Sequence, residues 1–144
     1  MTMKKRWGAV LTITVLSSIV LTGTLQANEV AEKAAIAAAS AWLSSVDEGN
    51  YVESWNQASG LFKAAVTEEQ WQQSLRAFRS PLGKVVSRKL KWKQYTRTLP
   101  GAPDGEYVVI QYETTFEKKQ SATETITPML DRDGNWRVSG YYIR

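Results

Sequence analysis

Two charged side chains stand among apolar ones in the pleated half of this chain, and they are the residues best placed to do chemistry. Glu124 lies between Ala122 and Ile126 in one alternating segment, and Arg88 lies between apolar neighbours in another. Burial of a carboxylate among apolar side chains favours its protonated form and lets it act as a general base, whereas a nearby arginine holds it ionised. The sequence therefore offers a candidate pocket around Glu124.

Three further side chains belong to this candidate pocket. Tyr112 supplies a hydrogen-bond donor and Trp55 an aromatic wall. Arg79 either caps the C-terminal end of its helix with positive charge or points into the opening of the fold. The alternative interpretation is that Glu124 and Arg88 lie near strand ends and pair with each other or with water. This alternative is favoured, because structural ion pairs are common and a buried carboxylate alone is a weak predictor of catalysis.

The chain contains no histidine and no cysteine, which removes the usual side chains of most hydrolytic and metal-dependent chemistry. A serine triad has no histidine base, a lipoprotein anchor has no cysteine, and an exported domain of this composition has no disulfides. The segment Asp131–Asn135 resembles the start of a calcium loop, but no glutamate follows at the closing position, so a hairpin turn is favoured. We expect no catalytic residue, metal or cofactor.

The first 27 residues are typical of an export signal. Lys4, Lys5 and Arg6 form a positive head, an apolar run extends from Val10 to Leu21, and small residues lead to Ala27. We expect cleavage after Ala27 and a periplasmic or secreted protein.

The competing interpretation of this segment is an uncleaved membrane anchor. Positions 7–25 nearly reach the ~20 residues that a helix needs to span a bilayer, but threonines and serines dilute their apolar character. Cleavage is therefore favoured, and we expect one domain over residues 28–144 with no stable membrane anchor.

Removal of the signal changes the charge balance. The signal holds three of the 18 basic residues and none of the 14 acids, so 15 basic residues remain against 14 acidic ones. Nucleic-acid binding needs a concentrated basic face, and this near-neutral domain gives no reason to expect one. The expected partner is an unidentified small ligand or envelope protein.

Apolar residues spaced by three and four positions predict three helices in the first half. Asn50 with Glu53, and Thr67 with Gln70, are typical of capping boxes that begin the second and third helices. The residues predicted to face inward from the first and third helices are Ala31, Ala35, Ala38, Ala39, Trp42, Leu43, Val46, Trp71, Leu75 and Phe78.

After Gly83 the period changes from about four to two, which predicts four strands. The predicted strands cover Lys84–Thr98, Glu106–Lys118, about Ser121–Leu130, and the segment that follows a turn at Asp131–Gly134. Their predicted inward side chains are Val86, Leu90, Trp92, Val108, Ile110, Tyr112, Phe116, Ala122, Ile126, Leu130, Trp136, Val138 and Tyr142.

Pro128 interrupts the third predicted strand and indicates a bulge or an edge position, where a slip of one residue would reverse the inward and outward sides. Helices followed by a meander of strands predict an α+β fold, with three N-terminal helices packed on a curved four-stranded antiparallel sheet.

Four segments, taken in order, resemble the bacterial family known as domain of unknown function 4019. They are Asp47–Trp55, Trp71–Gly83, Leu99–Tyr107 and Asp133–Tyr142, within a resemblance that covers about Ala41 to Arg144. The resemblance implies small exported bacterial proteins with a cone-shaped fold similar to nuclear transport factor 2 and the cystatin-like group. It implies no catalytic residues.

Three functions follow as hypotheses, because such a fold supports enzymes and binding modules alike. The favoured one is a non-enzymatic domain that binds a small ligand or an envelope protein through the cone or the sheet. The second is a histidine-free enzyme with Glu124 as base and Tyr112 as donor, which requires a cavity that contains Glu124. The third is a protein-binding role, such as hydrolase inhibition or toxin neutralisation, with homodimerisation through an exposed apolar sheet face that contains Tyr107, Val109, Tyr141 and Ile143.

Overall fold

A computed structural model describes the backbone of residues 19–144 and the side chains from residue 23 onward. The basic head and most of the predicted signal lie outside the described residues. The elements, in chain order, are α1 (Ile19–Asp47), α2 (Tyr51–Asn56), α3 (Gly60–Ala65), α4 (Glu68–Phe78), a 3-10 turn (Ser80–Leu82), β1 (Val85–Thr96), β2 (Tyr107–Phe116), β3 (Lys119–Leu130) and β4 (Trp136–Ile143).

The predicted α+β fold is confirmed, with one helix more than expected. The four strands pair antiparallel in the order β1-β2-β3-β4, and the helices pack on one face of this open sheet. The additional helix is α3, which begins after Ser59 because the Ser59 hydroxyl accepts a hydrogen bond from the backbone N–H of Phe62. Gly60 is the first residue of α3.

The helix α1 is continuous across Ala27, the predicted cleavage position. Its positions 23–27 are exposed, whereas the stripe from Ala35 to Val46 is buried against the sheet, as predicted for Ala35, Trp42 and Val46. No helix within residues 19–144 combines the length and the apolar character needed to cross a membrane.

The helix α4 confirms its predicted start and corrects its predicted buried face. The Thr67 hydroxyl accepts from the backbone of Gln70, and the Gln70 side chain accepts from the backbone of Thr67. Trp71 and Leu75 are buried, but the prediction for Phe78 is wrong, because its side chain is 75% exposed. The buried row of α4 runs in steps of four from Trp71 through Leu75 to Arg79, which directly follows Phe78.

The predicted capping box at the start of α2 is wrong. Among the described contacts, the Asn50 side chain makes no capping hydrogen bond to α2, and its amide donates instead to the Glu48 carboxylate. Glu53 accepts from the side chain of Gln57, one turn further along. In a helix of six residues, these local side-chain pairs replace the reciprocal cap.

Leu90 stays in register with Arg88 and lies opposite Tyr112, but it is exposed on the edge strand β1. The predictions for Val86 and Trp92 are wrong because the pairing of β1 with β2 shifts between Val85 and Ser87 and again between Leu90 and Trp92. Each shift breaks the strict alternation on which the prediction depended. Val86, Leu90 and Trp92 are all exposed.

Beyond the second shift, β1 presents different side chains to the helices. The Lys93 ammonium lies 2.9 Å from the carboxylate of Glu32 on α1, and the backbone N–H of Tyr95 donates to the same carboxylate. This contact ties the far end of β1 to the beginning of the packed part of α1.

The pairing of β3 with β4 is irregular at Pro128, where the sequence predicted a bulge or an edge position. Their pairing shifts between Thr127 and Pro128, so the prediction of a bulge is confirmed. Beyond the shift Tyr141 lies opposite Ile126 and packs edge-on against Trp42, with ring centroids 5.3 Å apart. Tyr142, predicted to face inward, is exposed.

The apolar sheet face proposed as a dimer surface is also different from the prediction. Tyr107 is buried, because the loop that precedes β2 folds over it and the Tyr107 hydroxyl donates to the carbonyl of Pro103 at 2.6 Å. Tyr141 faces the helices. The large apolar side chains that β1 and β4 leave exposed are instead Val86, Leu90, Trp92 and Tyr142.

Candidate functional site

Four charged side chains meet between the helices and the sheet, and we call Asp47, Arg79, Arg88 and Glu124 the charge cluster. Arg88 is at its centre, because its guanidinium forms a fork with each carboxylate. Toward Glu124 its nitrogen–oxygen distances are 2.7 and 3.2 Å, and toward Asp47 they are 2.7 and 3.0 Å. Paired forks of this kind are among the strongest side-chain contacts in proteins, so the cluster fixes the end of α1 to β1 and β3.

Glu124 has 0% exposure, and every acceptor position of its carboxylate is in use. Its Oε1 atom accepts from Arg88 and from the Thr114 hydroxyl at 2.5 Å. Its Oε2 atom accepts from Arg88 and from the Tyr141 hydroxyl. A carboxylate offers about four lone-pair sites, and four donors fill them. Glu124 therefore has no free position at which to take a proton from a substrate.

Arg79 is the second cation of the charge cluster, and it is only 3% exposed. It donates to Asp47 at 3.0 Å and to the carbonyl of Gly83 at 2.7 Å, and its guanidinium carbon lies 4.6 Å from the ring centroid of Phe116. Within the described residues its Nε atom is buried and has no hydrogen-bond partner. Two cations face two carboxylates, so the cluster is formally neutral.

The surroundings of the cluster change the pKa of three groups. Burial by itself would lower the pKa of Arg88, but hydrogen bonds to Asp47 and Glu124, with their charges, raise it above its ordinary value. Burial, followed by the charge of Glu124 and its hydrogen bond, raises the pKa of Tyr141 well above the usual range. Burial also raises the pKa of Tyr112. Both tyrosines therefore stay protonated at neutral pH.

The structure brings four of the five predicted pocket residues close together and leaves one apart. Arg88, Glu124 and Arg79 belong to the charge cluster, and Tyr112 lies directly opposite Glu124 in the pairing of β2 with β3. Trp55 is elsewhere: its indole N–H donates to the carbonyl of residue 66 at 2.8 Å, beyond the end of α3. The favoured ion-pair interpretation of Glu124 and Arg88 agrees with their contact, but Glu124 is fully buried rather than near a solvated strand end.

Sequence reasoning missed three residues of this site, Asp47, Thr114 and Tyr141. Asp47 was not predicted to belong to it, although it lies four positions after Leu43 and so continues a buried row. Tyr141 was placed on the opposite side of β4 because the shift beside Pro128 reverses the alternation there. The spacing of Asp47 was a usable signal, whereas the bulge fixed the side of Tyr141 only once the pairing was known.

A groove opens beside the charge cluster, between α4 and the end of β4, and we call it the α4–β4 groove. It has a volume of about 300 Å³. Its lining includes the apolar side chains of Trp71, Leu75 and Ile143, and Arg79 connects it to the cluster. The described lining contains no acidic residue, and Glu124 is not part of it.

From residue 23 onward, where side chains are described, no three acidic, histidine or cysteine side chains are grouped so as to hold a metal ion. The segment Asp131–Asn135 is a hairpin turn, as predicted, closed by a hydrogen bond from the N–H of Asp131 to the carbonyl of Asn135. Asp133 is occupied by Arg137, whose guanidinium donates to it twice at 2.7 Å.

The sequence model of the family described as "Protein of unknown function (DUF4019)" matches residues 38–141, which confirms the resemblance seen in the sequence and includes the whole charge cluster. No curated protein matches the chain.

Proposed function

Because the chain belongs to the family described as "Protein of unknown function (DUF4019)", we propose that it is an exported, non-enzymatic module that binds a small ligand in the α4–β4 groove. The groove carries this proposal. It is a concave site with apolar side chains and a few polar groups, which is the usual form of a small-molecule site.

The state of Glu124 supports a binding role over catalysis. A general base needs a free acceptor position within reach of the substrate. Glu124 is fully buried, its oxygens accept from Arg88, Thr114 and Tyr141, and it does not line the groove. The chain has no histidine to take its place. The charge cluster then serves to hold α4 and the sheet at the distance that leaves the groove open.

A block of the groove tests the binding role. Ser74 lines the groove from an exposed position on α4, and Gln73 is an exposed neighbour outside the lining. We expect protein isolated from its native host to carry a small bound molecule in native mass spectrometry. A Ser74→Trp variant should lose it, because the indole fills the space, and the matched Gln73→Trp variant should retain it.

Two results of that experiment would contradict the proposal. One is a bare polypeptide mass for the wild-type protein under conditions that preserve noncovalent complexes. The other is a bound molecule that the Ser74→Trp variant retains as fully as the control does.

Export is supported by the basic head at Lys4 to Arg6, the apolar run that follows it, and the position of the cleavage point outside the packed core. Positions 23–27 are exposed. N-terminal sequencing of the protein from the host should begin at or near Asn28. A mature protein that retains Met1 would contradict export.

A protein-binding role is the second candidate, favoured by the aromatic side chains exposed on the outer face of the sheet. Trp92, Gln111, Thr125 and Tyr142 lie opposite one another in successive strands and form one row. Trp92 is 45% exposed and Tyr142 is 47% exposed. Aromatic side chains are enriched in interfaces, including those of homodimers. Analytical ultracentrifugation should then show self-association, or a complex with an envelope protein, that a Trp92→Ser variant loses; a monomer that binds no envelope protein would contradict this candidate.

A further inference from the structure

Resting on the proposed function, we infer that the ligand of the α4–β4 groove is a small monocarboxylate with an apolar body, and that Lys119 binds its carboxylate. Lys119 is the first residue of β3 and lines the groove together with Arg79.

The charge in the groove is positive and is not compensated by the protein. The described lining contains Arg79 and Lys119 and no acidic residue. Arg79 is already paired with Asp47 at 3.0 Å, inside a neutral cluster. Lys119, in contrast, makes no ion pair with any residue from 23 onward, so its charge is available to a ligand. Apolar walls of low polarizability strengthen the field of such a charge and select an anion.

Arg79, which lines the groove, also carries a buried hydrogen-bond donor that has no acceptor among the described residues. The Arg79 side chain is nearly fully buried, and its Nε atom has no partner among the described residues. A buried donor left unpaired costs free energy, and an acceptor brought by a ligand removes that cost. Because this N–H is buried, a carboxylate held by Lys119 reaches it only when the Arg79 side chain shifts. Neither an ammonium nor a hydrocarbon head group could accept from it.

The size and the walls of the groove define the rest of the ligand. At roughly 30 Å³ for each water-sized group, a volume of about 300 Å³ holds about ten non-hydrogen atoms. The walls beside Trp71, Leu75 and Ile143 are apolar and favour an apolar body. Octanoate, with a carboxylate and a seven-carbon chain, has this composition and serves as the probe.

Isothermal titration calorimetry with three matched probes tests the inference. Octanoate carries the anion, octan-1-ol is its neutral equivalent and octylammonium its cationic one. We expect wild-type protein to bind octanoate at least about tenfold more tightly than octan-1-ol, because a charge-assisted hydrogen bond is roughly twice as strong as a neutral one. Octylammonium should show no binding, because Lys119 and Arg79 repel it.

Variants of two neighbouring lysines test which residue binds the carboxylate of the ligand. A Lys119→Met variant should bind octanoate about tenfold more weakly and octan-1-ol as before. A Lys118→Met variant should bind both as the wild type does, because Lys118 is exposed and lies outside the lining. Both substitutions keep an unbranched side chain and remove its charge, and circular dichroism checks that each variant is folded.

The outcomes separate this inference from the proposed function. Equal affinities for octanoate and octan-1-ol, unchanged octanoate affinity in Lys119→Met, or no binding of octanoate at all would each overturn the inferred ligand class. If the host-derived protein still carries a molecule that Ser74→Trp loses, the groove remains a binding site and only the assignment of a carboxylate fails. If it carries none, the proposed function fails as well.

Discussion

The charge cluster depends on Arg88, because among the described residues Arg88 alone donates to both carboxylates. It forms one fork with Asp47 on α1 and another with Glu124 on β3. Such a buried arrangement is a weak source of stability as a whole, since desolvation offsets much of the attraction. Removal of one member is a different matter, because it leaves a partner charged and buried.

We therefore expect Arg88→Met to lower the free energy of unfolding by about 3–5 kcal/mol, measured by urea denaturation at pH 7. The matched control is Lys89→Met, which removes an exposed cation next to it and should change the stability by at most ~0.5 kcal/mol. A double variant, Arg88→Met with Glu124→Gln, should recover part of the loss. Equal effects of the two single variants would contradict the dependence on Arg88.

The buried face of an element was predicted correctly where one spacing of apolar residues holds throughout the element. The prediction was wrong where the chain departs from that spacing. The buried row of α1 and the capping box of α4 follow from spacing alone. In α4 the row of steps of four passes over an aromatic residue and ends on Arg79, which an apolar pattern does not count. In β1 and β4 the side-chain order is set by bulges, and a bulge is decided by the pairing of two strands rather than by one strand's sequence. The same reason explains why only part of the candidate site was predicted. Glu124 precedes the shift in the pairing of β3 with β4, and its inward position was predicted correctly. Tyr141 follows that shift along β4, and its side of the strand was predicted wrongly.

The corrected face of α4 gives a prediction at this scale. Leu75→Ala should lower the free energy of unfolding by about 2–5 kcal/mol, because Leu75 is buried and its truncation leaves a cavity. Phe78→Ala should lower it by less than ~1 kcal/mol, although it removes a larger side chain, because that ring is exposed. Chemical denaturation of both variants decides this, and a larger effect for Phe78→Ala would restore the face expected from the sequence.

The whole molecule keeps several tyrosine hydroxyls away from water, and this links its stability to alkaline pH. Burial is the largest cause that raises the pKa of Tyr95, Tyr107, Tyr112 and Tyr141. The folded chain holds these protons above pH ~10, where an unfolded chain releases them. The stabilisation is therefore complete below pH ~10 and is lost as the pH rises through the folded-state values.

Among these residues Tyr141 has the pKa that is raised most, chiefly because its hydroxyl is deeply buried and then because of the charge of Glu124 and the hydrogen bond to it. Between pH 10 and 11.5 we expect the stability of wild-type protein to fall with pH, and that of Tyr141→Phe to fall less steeply by up to ~1.4 kcal/mol per pH unit, which corresponds to one proton. Urea denaturation across this range measures both slopes. Tyr142→Phe, which changes an exposed ring, is the control, and a Tyr141→Phe slope equal to that of the control would contradict the link.

The buried charges also have a consequence for how the strands align during folding. A slip of β3 by one position would bring Thr123 or Thr125 to the place of Glu124, and the guanidinium of Arg88 would then meet a hydroxyl while Glu124 turned to the other face. Such a misaligned sheet would leave the cations Arg79 and Arg88 facing Asp47 as their one remaining carboxylate in the charge cluster, at a cost of several kcal/mol. The charge cluster thus stabilises one alignment of the strands over the alignments that differ from it by one position.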